Sequence, residues 1–131
     1  MKELRVGAVI LACTGLLLAA CGGRGTNAGG AASAPALVGD AAAGKVAYEV
    51  TCIACHGPDA VGITGLGKDW TVSEFIRNSS DADLMAFIKQ GRLASHPDNT
   101  TGVDMPAMGG NNELTDQDVV DVIAYMRTVQ K

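Results

Sequence analysis

Five residues, Cys52-Ile53-Ala54-Cys55-His56, constrain this chain more than any other feature. Two thiols separated by two residues on a helical turn can serve one ligand together, and an imidazole follows directly. A thioredoxin-like redox pair would need a preceding strand and a βαβ setting, whereas residues 39–50 read as helix. A zinc centre would need two or more further ligands, and His96 is the only other histidine in the chain. A disulfide across two residues would leave His56 unexplained.

The reading that uses all three side chains is covalent attachment of a haem. The two thiols add to its vinyl groups, and His56 lies under the iron as proximal ligand. The predicted cofactor is therefore a single haem c held by Cys52, Cys55 and His56. Composition agrees: aromatics are only 4 % and glycines number 17, a thin core for 131 residues, so a large bound group would supply missing buried mass. A net charge of -4 without a basic patch excludes nucleic acid as a partner. No nucleophile–base pair, paired catalytic carboxylates or phosphate loop is visible, so the chain is not expected to be an enzyme.

Haem attachment through thioethers requires export, and the N-terminus carries a matching address. Lys2 and Arg5 precede the apolar run 6–20, which reads as a signal peptide. About 15 apolar residues fall short of the roughly 20 that span a bilayer. Leu18-Ala19-Ala20-Cys21 resembles the bacterial lipobox, which implies a diacylglycerol on Cys21 and removal of residues 1–20, Cys13 among them. Residues 22–38 are rich in Gly, Ala and Ser and nearly uncharged, a tether spanning on the order of 20–25 Å on average. The expected organisation is a leader over 1–20, a lipidated Cys with its tether over 21–38, and one domain over 39–131. Such a protein is exported and anchored to a membrane, facing the periplasm or the cell exterior.

The domain reads as all-α. Asp40 is placed to cap a helix over 41–55 that carries Gly44 and Tyr48 one turn apart. A short helix is expected over 72–77, just after Trp70, the single tryptophan. Ser80-Asp81-Ala82-Asp83 opens another, with Leu84, Phe87 and Ile88 on one face and Gly91 at its end. Thr115-Asp116-Gln117-Asp118 is a capping-box start, followed at helical spacing by Val119, Val122, Ile123, Met126 and Val129. An electron carrier fills the second axial position of its iron, and the candidates are Met85, Met105, Met108, Met126 and His96. Met85 and Met126 fall on apolar helical faces as core filler, and His96 sits in a polar loop. Met105 and Met108 remain.

Cys52–His56, the run Met105-Pro106-Ala107-Met108-Gly109-Gly110 and the final helix together resemble class I cytochromes c over residues 39–131. The resemblance implies the class I fold, with N- and C-terminal helices packed around one covalently bound haem. It also implies that the Met directly before Pro is the ligand, here Met105, with Met108 at the variable position as second choice. Gly44, Tyr48 and Tyr125 match the residues at which the terminal helices meet. Trp70 matches a position that hydrogen-bonds a haem propionate, beside its reading as core filler; Lys68, Arg77 and Arg92 are further propionate candidates. One departure stands out. Gly62-Ile63-Thr64-Gly65-Leu66-Gly67 lacks the family's proline, so the acceptor that orients His56 is expected at the Thr64 carbonyl or another group. Asn99-Thr100-Thr101 matches a glycosylation acceptor but reads as loop hydrogen bonding near the methionine segment.

The stretch 99–106 is similar to the monohaem cytochrome lipoprotein of alternative complex III and to cytochrome c domains of haem–copper oxidases. The implied function is electron transfer in a respiratory or photosynthetic chain. The implied partners are redox proteins, namely a membrane quinol-oxidising complex and a terminal oxidase or other acceptor. A soft thioether would stabilise ferrous iron and raise the potential relative to a second nitrogen ligand. The contrasting expectation is a haem enzyme or gas sensor with a labile sixth ligand.

Overall fold

The structure, a computed structural model, describes residues 37–131. The leader, Cys13, Cys21 and the tether up to residue 36 lie outside the described residues. Within them the elements are helices α1 (Ala41–Thr51), α2 (Ile53–His56), α3 (Glu74–Asn78), α4 (Asp81–Gln90) and α5 (Asp116–Val129). Tight turns that pass through left-handed residues lie at Pro58–Ala60 and Ala107–Gly110, and no strand occurs among the described residues.

Each long helix begins where its capping residue stands. The Asp40 carboxylate accepts from the backbone N–H groups of Ala42 and Ala43, at 2.8 and 3.2 Å. Ser80 with Asp83, and Thr115 with Asp118, form reciprocal capping boxes that satisfy orphan donors at the starts of α4 and α5. The helix expected over 41–55 is broken in two. At Cys52 it tightens: the Cys55 N–H shares the Cys52 carbonyl with the His56 N–H, at 3.1 and 2.9 Å, before α2 continues. The short helix starts at Glu74, because the Ser73 hydroxyl caps it there by accepting from the Ile76 N–H.

The crossing of α1 and α5 is the centre of the fold. A Cβ at Gly44 would collide with the backbone of Asp121 and Val122, so only glycine lets the helices approach this closely. One turn on, Tyr48 is buried against Tyr125, their ring centroids 5.3 Å apart. Tyr125 thus pairs with Tyr48, while Gly44 itself faces the α5 backbone. The buried Asp121 accepts from the Asp40 N–H at 2.8 Å and from the Gln117 amide at 2.7 Å, pinning the start of the domain to α5. Arg127 extends from α5 to the Ile76 and Ser79 carbonyls and the Asp81 carboxylate, at 2.5, 2.6 and 2.7 Å. It thereby fixes the α3–α4 turn. Leu84, Ile88, Val119, Val122, Ile123 and Met126 fill the core between these helices.

Candidate cofactor site

The Cys52 thiol stands at the α1–α2 junction and the Cys55 thiol within α2, and they are not bonded to each other. After His56 the chain reverses, with the Gly62 N–H donating to the His56 carbonyl at 2.8 Å. A tight turn then closes between Ile63 and Gly67. This reversal brings the Lys68 carbonyl to 2.8 Å from His56 Nδ1. A carbonyl can only accept, so Nδ1 carries the proton and the Nε2 lone pair is free to bind a metal. The acceptor is thus Lys68 and not Thr64, which lies at the tip of the turn, where Leu66 and Gly67 both bond back to Ile63. Trp70 is buried with its ring tilted against both His56 and Tyr48, each at 4.8 Å between centroids. Burial lowers the His56 pKa and keeps the imidazole neutral, the form that binds a metal. Burial, with the neighbouring Cys55, pushes the Cys52 thiol up to about 11, which disfavours the reactive thiolate of a redox pair.

The methionine segment is fixed to the end of α4. Arg92 and Met105 exchange both backbone hydrogen bonds, each 2.8 Å. Gly91, at φ 72°, leaves no room for a Cβ beside the Met105 carbonyl. The loop between them is closed by Asp104, which accepts from the Ala94 N–H, and by Asn99, whose amide donates to the Leu93 and Val103 carbonyls. After Pro106 the chain turns through Met108, at φ 54°, and Asn111 meets Thr51 at the end of α1.

These elements surround one apolar cleft, part of it open to solvent. Cys52, Cys55, His56, Trp70, Met105 and Met108 all line it, on an apolar floor that includes Phe87, Ile88, Val119 and Val122. Lys68 and Arg92 reach the same cleft. Arg77 is turned away, paired with Glu74 and the Lys131 carbonyl. His96 faces solvent beside Asp98, Met126 is buried in the core, and Met85 packs on its edge. The residues present fit a haem c: two free thiols and a neutral imidazole with a free Nε2 share one apolar cleft with two thioethers. Trp70, Lys68 and Arg92 could serve its propionates. Among the described residues no three His, Cys, Asp or Glu cluster as a metal site of their own.

Sequence reasoning missed three parts of this arrangement. The Lys68 carbonyl carries no signal, since every position has one. The Arg92 guanidinium lies 5.1 and 4.7 Å from the Phe75 and Phe87 ring centroids, a cation–π packing set by the fold. The Thr51–Asn111 bond joins residues 60 positions apart.

Residues 39–126 match the family described as cytochrome c oxidase, cbb3-type, subunit III. Cytochrome c-555 of Prosthecochloris aestuarii is 37 % identical over 66 % of this chain and 85 % of its own. Cytochrome c-555 of Chlorobaculum tepidum is 34 % identical, over 72 % of this chain and 81 % of its own. Cytochrome c-554(547) of Halothiobacillus neapolitanus is 35 % identical, over 70 % and 99 % respectively.

Proposed function

The chain belongs to the cytochrome c family, as a class I monohaem member that carries a covalent haem c and transfers electrons, and on that premise we propose how its residues hold the haem and where it works. Cys52 and Cys55 form the thioether links, His56 is the proximal ligand and Met105 the distal one, with Met108 as second choice. Trp70 donates to a propionate. The single observation that carries this reading is the His56–Lys68 bond, which leaves Nε2 directed to ligation in a cleft that both methionines line.

When bound, the haem supplies a one-electron couple between ferric and ferrous iron. The protein's part is to hold that iron in one coordination state throughout. The Lys68 carbonyl holds the His56 ring in one tautomer and orientation, and raises its basicity as a ligand. The Arg92–Met105 backbone pair holds the Met105 segment in place. The apolar side chains on the cleft floor would keep water from the iron and favour its less charged ferrous state. With Met105 as its second ligand, the haem would leave no open position for oxygen or peroxide, which suits a carrier rather than an oxidase or sensor.

The finer reading places the protein outside the cytoplasmic membrane. Residues 1–20 act as a lipoprotein signal peptide, Cys21 takes the lipid, and 21–38 tether the domain. Several acyl chains on one cysteine anchor stably, since each buried CH2 contributes about 0.8 kcal/mol and one chain alone is marginal. The partners are a membrane quinol-oxidising complex and a terminal oxidase or other acceptor, in a respiratory or photosynthetic chain. The test is the optical spectrum of the full chain, oxidised and reduced, after expression with haem maturation. A low-spin haem with a thioether–iron band supports the His56/Met pair. A high-spin spectrum, or ready carbon monoxide binding, overturns it in favour of catalysis or sensing.

A further inference from the structure

Resting on the His56/Met reading above, we propose that Asn111 is a positioning residue: bonded to Thr51, it straps the methionine segment to the end of α1 and keeps the thioether on the iron. The segment from Met105 to Asn111 is held at two ends. At the first, Met105 exchanges both backbone hydrogen bonds with Arg92. At the second, Asn111 Nδ2 donates to Thr51 Oγ1 at 3.1 Å. From Pro106 to Glu113, this is the one hydrogen bond to another element found among the described residues.

The stretch between these ends lies beside α4, its Pro106–Ala107 backbone close against Gly91. Met108, Gly109 and Gly110 run at φ 54°, 63° and 85°, a left-handed path closed by the bonds Gly109 N–H to Pro106 and Asn111 N–H to Met108, both 3.1 Å. Gly109 lies so near Thr51 that an added Cβ would stand 3.0 Å from the Thr51 methyl. Asn111 is itself pre-set, because its Oδ1 accepts from the Glu113 N–H at 3.0 Å and so turns Nδ2 toward Thr51. Thr51 directly precedes Cys52 and lines the same cleft. The strap therefore joins the backbone that carries the first thioether to the backbone that carries the distal ligand.

The consequence is a change in ligand retention rather than in haem attachment. Imidazole competes with methionine for ferric iron, and its apparent affinity reports how firmly the thioether is held. Loss of one partly buried hydrogen bond is worth about three- to tenfold in such an equilibrium. In the full haem-loaded chain, Thr51→Val and Asn111→Ala should each bind imidazole about three- to tenfold tighter, with a lower reduction potential. Thr51→Ser keeps the hydroxyl and should match the parent. The double variant should be no worse than either single one, since both remove the same bond. If Thr51→Val fails to load haem, Asn111→Ala, distant in sequence from the attachment motif, decides alone. Imidazole affinities unchanged while only thermal stability falls would overturn the proposal, leaving the bond a structural contact. If the parent protein itself lacks a thioether–iron band, the fault lies in the His56/Met reading, and the strap falls with it.

Discussion

Tyr48 donates its hydroxyl proton to the Gly57 carbonyl at 2.5 Å, joining the crossing of α1 and α5 to the residue that follows His56. Tyr48→Phe leaves that buried carbonyl without its partner while preserving the ring packing. The expected cost at neutral pH is about 1–2 kcal/mol. In a domain of this size each kcal/mol lowers the melting temperature by about 4–8 °C. The effect reverses in character at high pH. Burial, with Tyr125 next in effect, raises the Tyr48 pKa above its ordinary 10.0. The folded state therefore keeps a proton that the unfolded chain gives up, so this contribution is complete below pH 10 and declines above it. Thermal melts of both proteins at neutral pH and above pH 10 should show their stabilities converging on the alkaline side. A constant gap would refute the assignment.

Gly44→Ala tests the helix crossing. Alanine favours a helix interior by roughly 1 kcal/mol over glycine, which alone would stabilise α1. The added methyl, however, runs into the Asp121 carbonyl, which belongs to helix backbone and cannot swing aside. Overpacking of this kind costs about 1–3 kcal/mol or more, so the net change should be a loss, with poorer haem incorporation. A melting temperature equal to or above the parent's would show that the crossing can open without cost.

Met105 and Met108 line the same cleft but are held differently. Met105 has its N–H and C=O both bonded to Arg92, whereas Met108 sits on the left-handed turn beyond Pro106. Met105→Ala should abolish the thioether–iron band of the ferric protein, lower the reduction potential and open the ferrous protein to carbon monoxide. Met108→Ala should keep the band. The reverse pattern assigns the distal ligand to Met108.

Cys21→Ser should move the protein from the membrane fraction to the soluble one, without altering the haem spectrum. If the serine variant still sediments with membranes, the lipid anchor is wrong.

Much of the fold was legible because its signals are local. Asp40, the Ser80–Asp83 pair and the Thr115–Asp118 pair each bond to backbone within three residues, so spacing alone located three helix starts. The Ser73 cap is less conspicuous, and the short helix begins at Glu74, two residues after the start the sequence suggests. The break at Cys52 was not visible either, because every residue from Ala41 to His56 tolerates a helix. It arises where Cys55 and His56 share one carbonyl.

One Cys-x-x-Cys-His turn, methionines near a Pro and two glycines, and capped amphipathic helices already leave few alternatives to an all-α domain around one haem. Which atoms serve the site depends on the folded path of the chain. His56 turns to Lys68 because the Gly62–Gly67 reversal delivers that carbonyl. Trp70 rests against His56 because the reversal lays its ring against both His56 and Tyr48. Asn111 finds Thr51 only because the methionine turn lies over the end of α1. Local bonds are fixed by spacing along the chain, whereas these depend on the path the whole chain takes, and only the packed helices define that path.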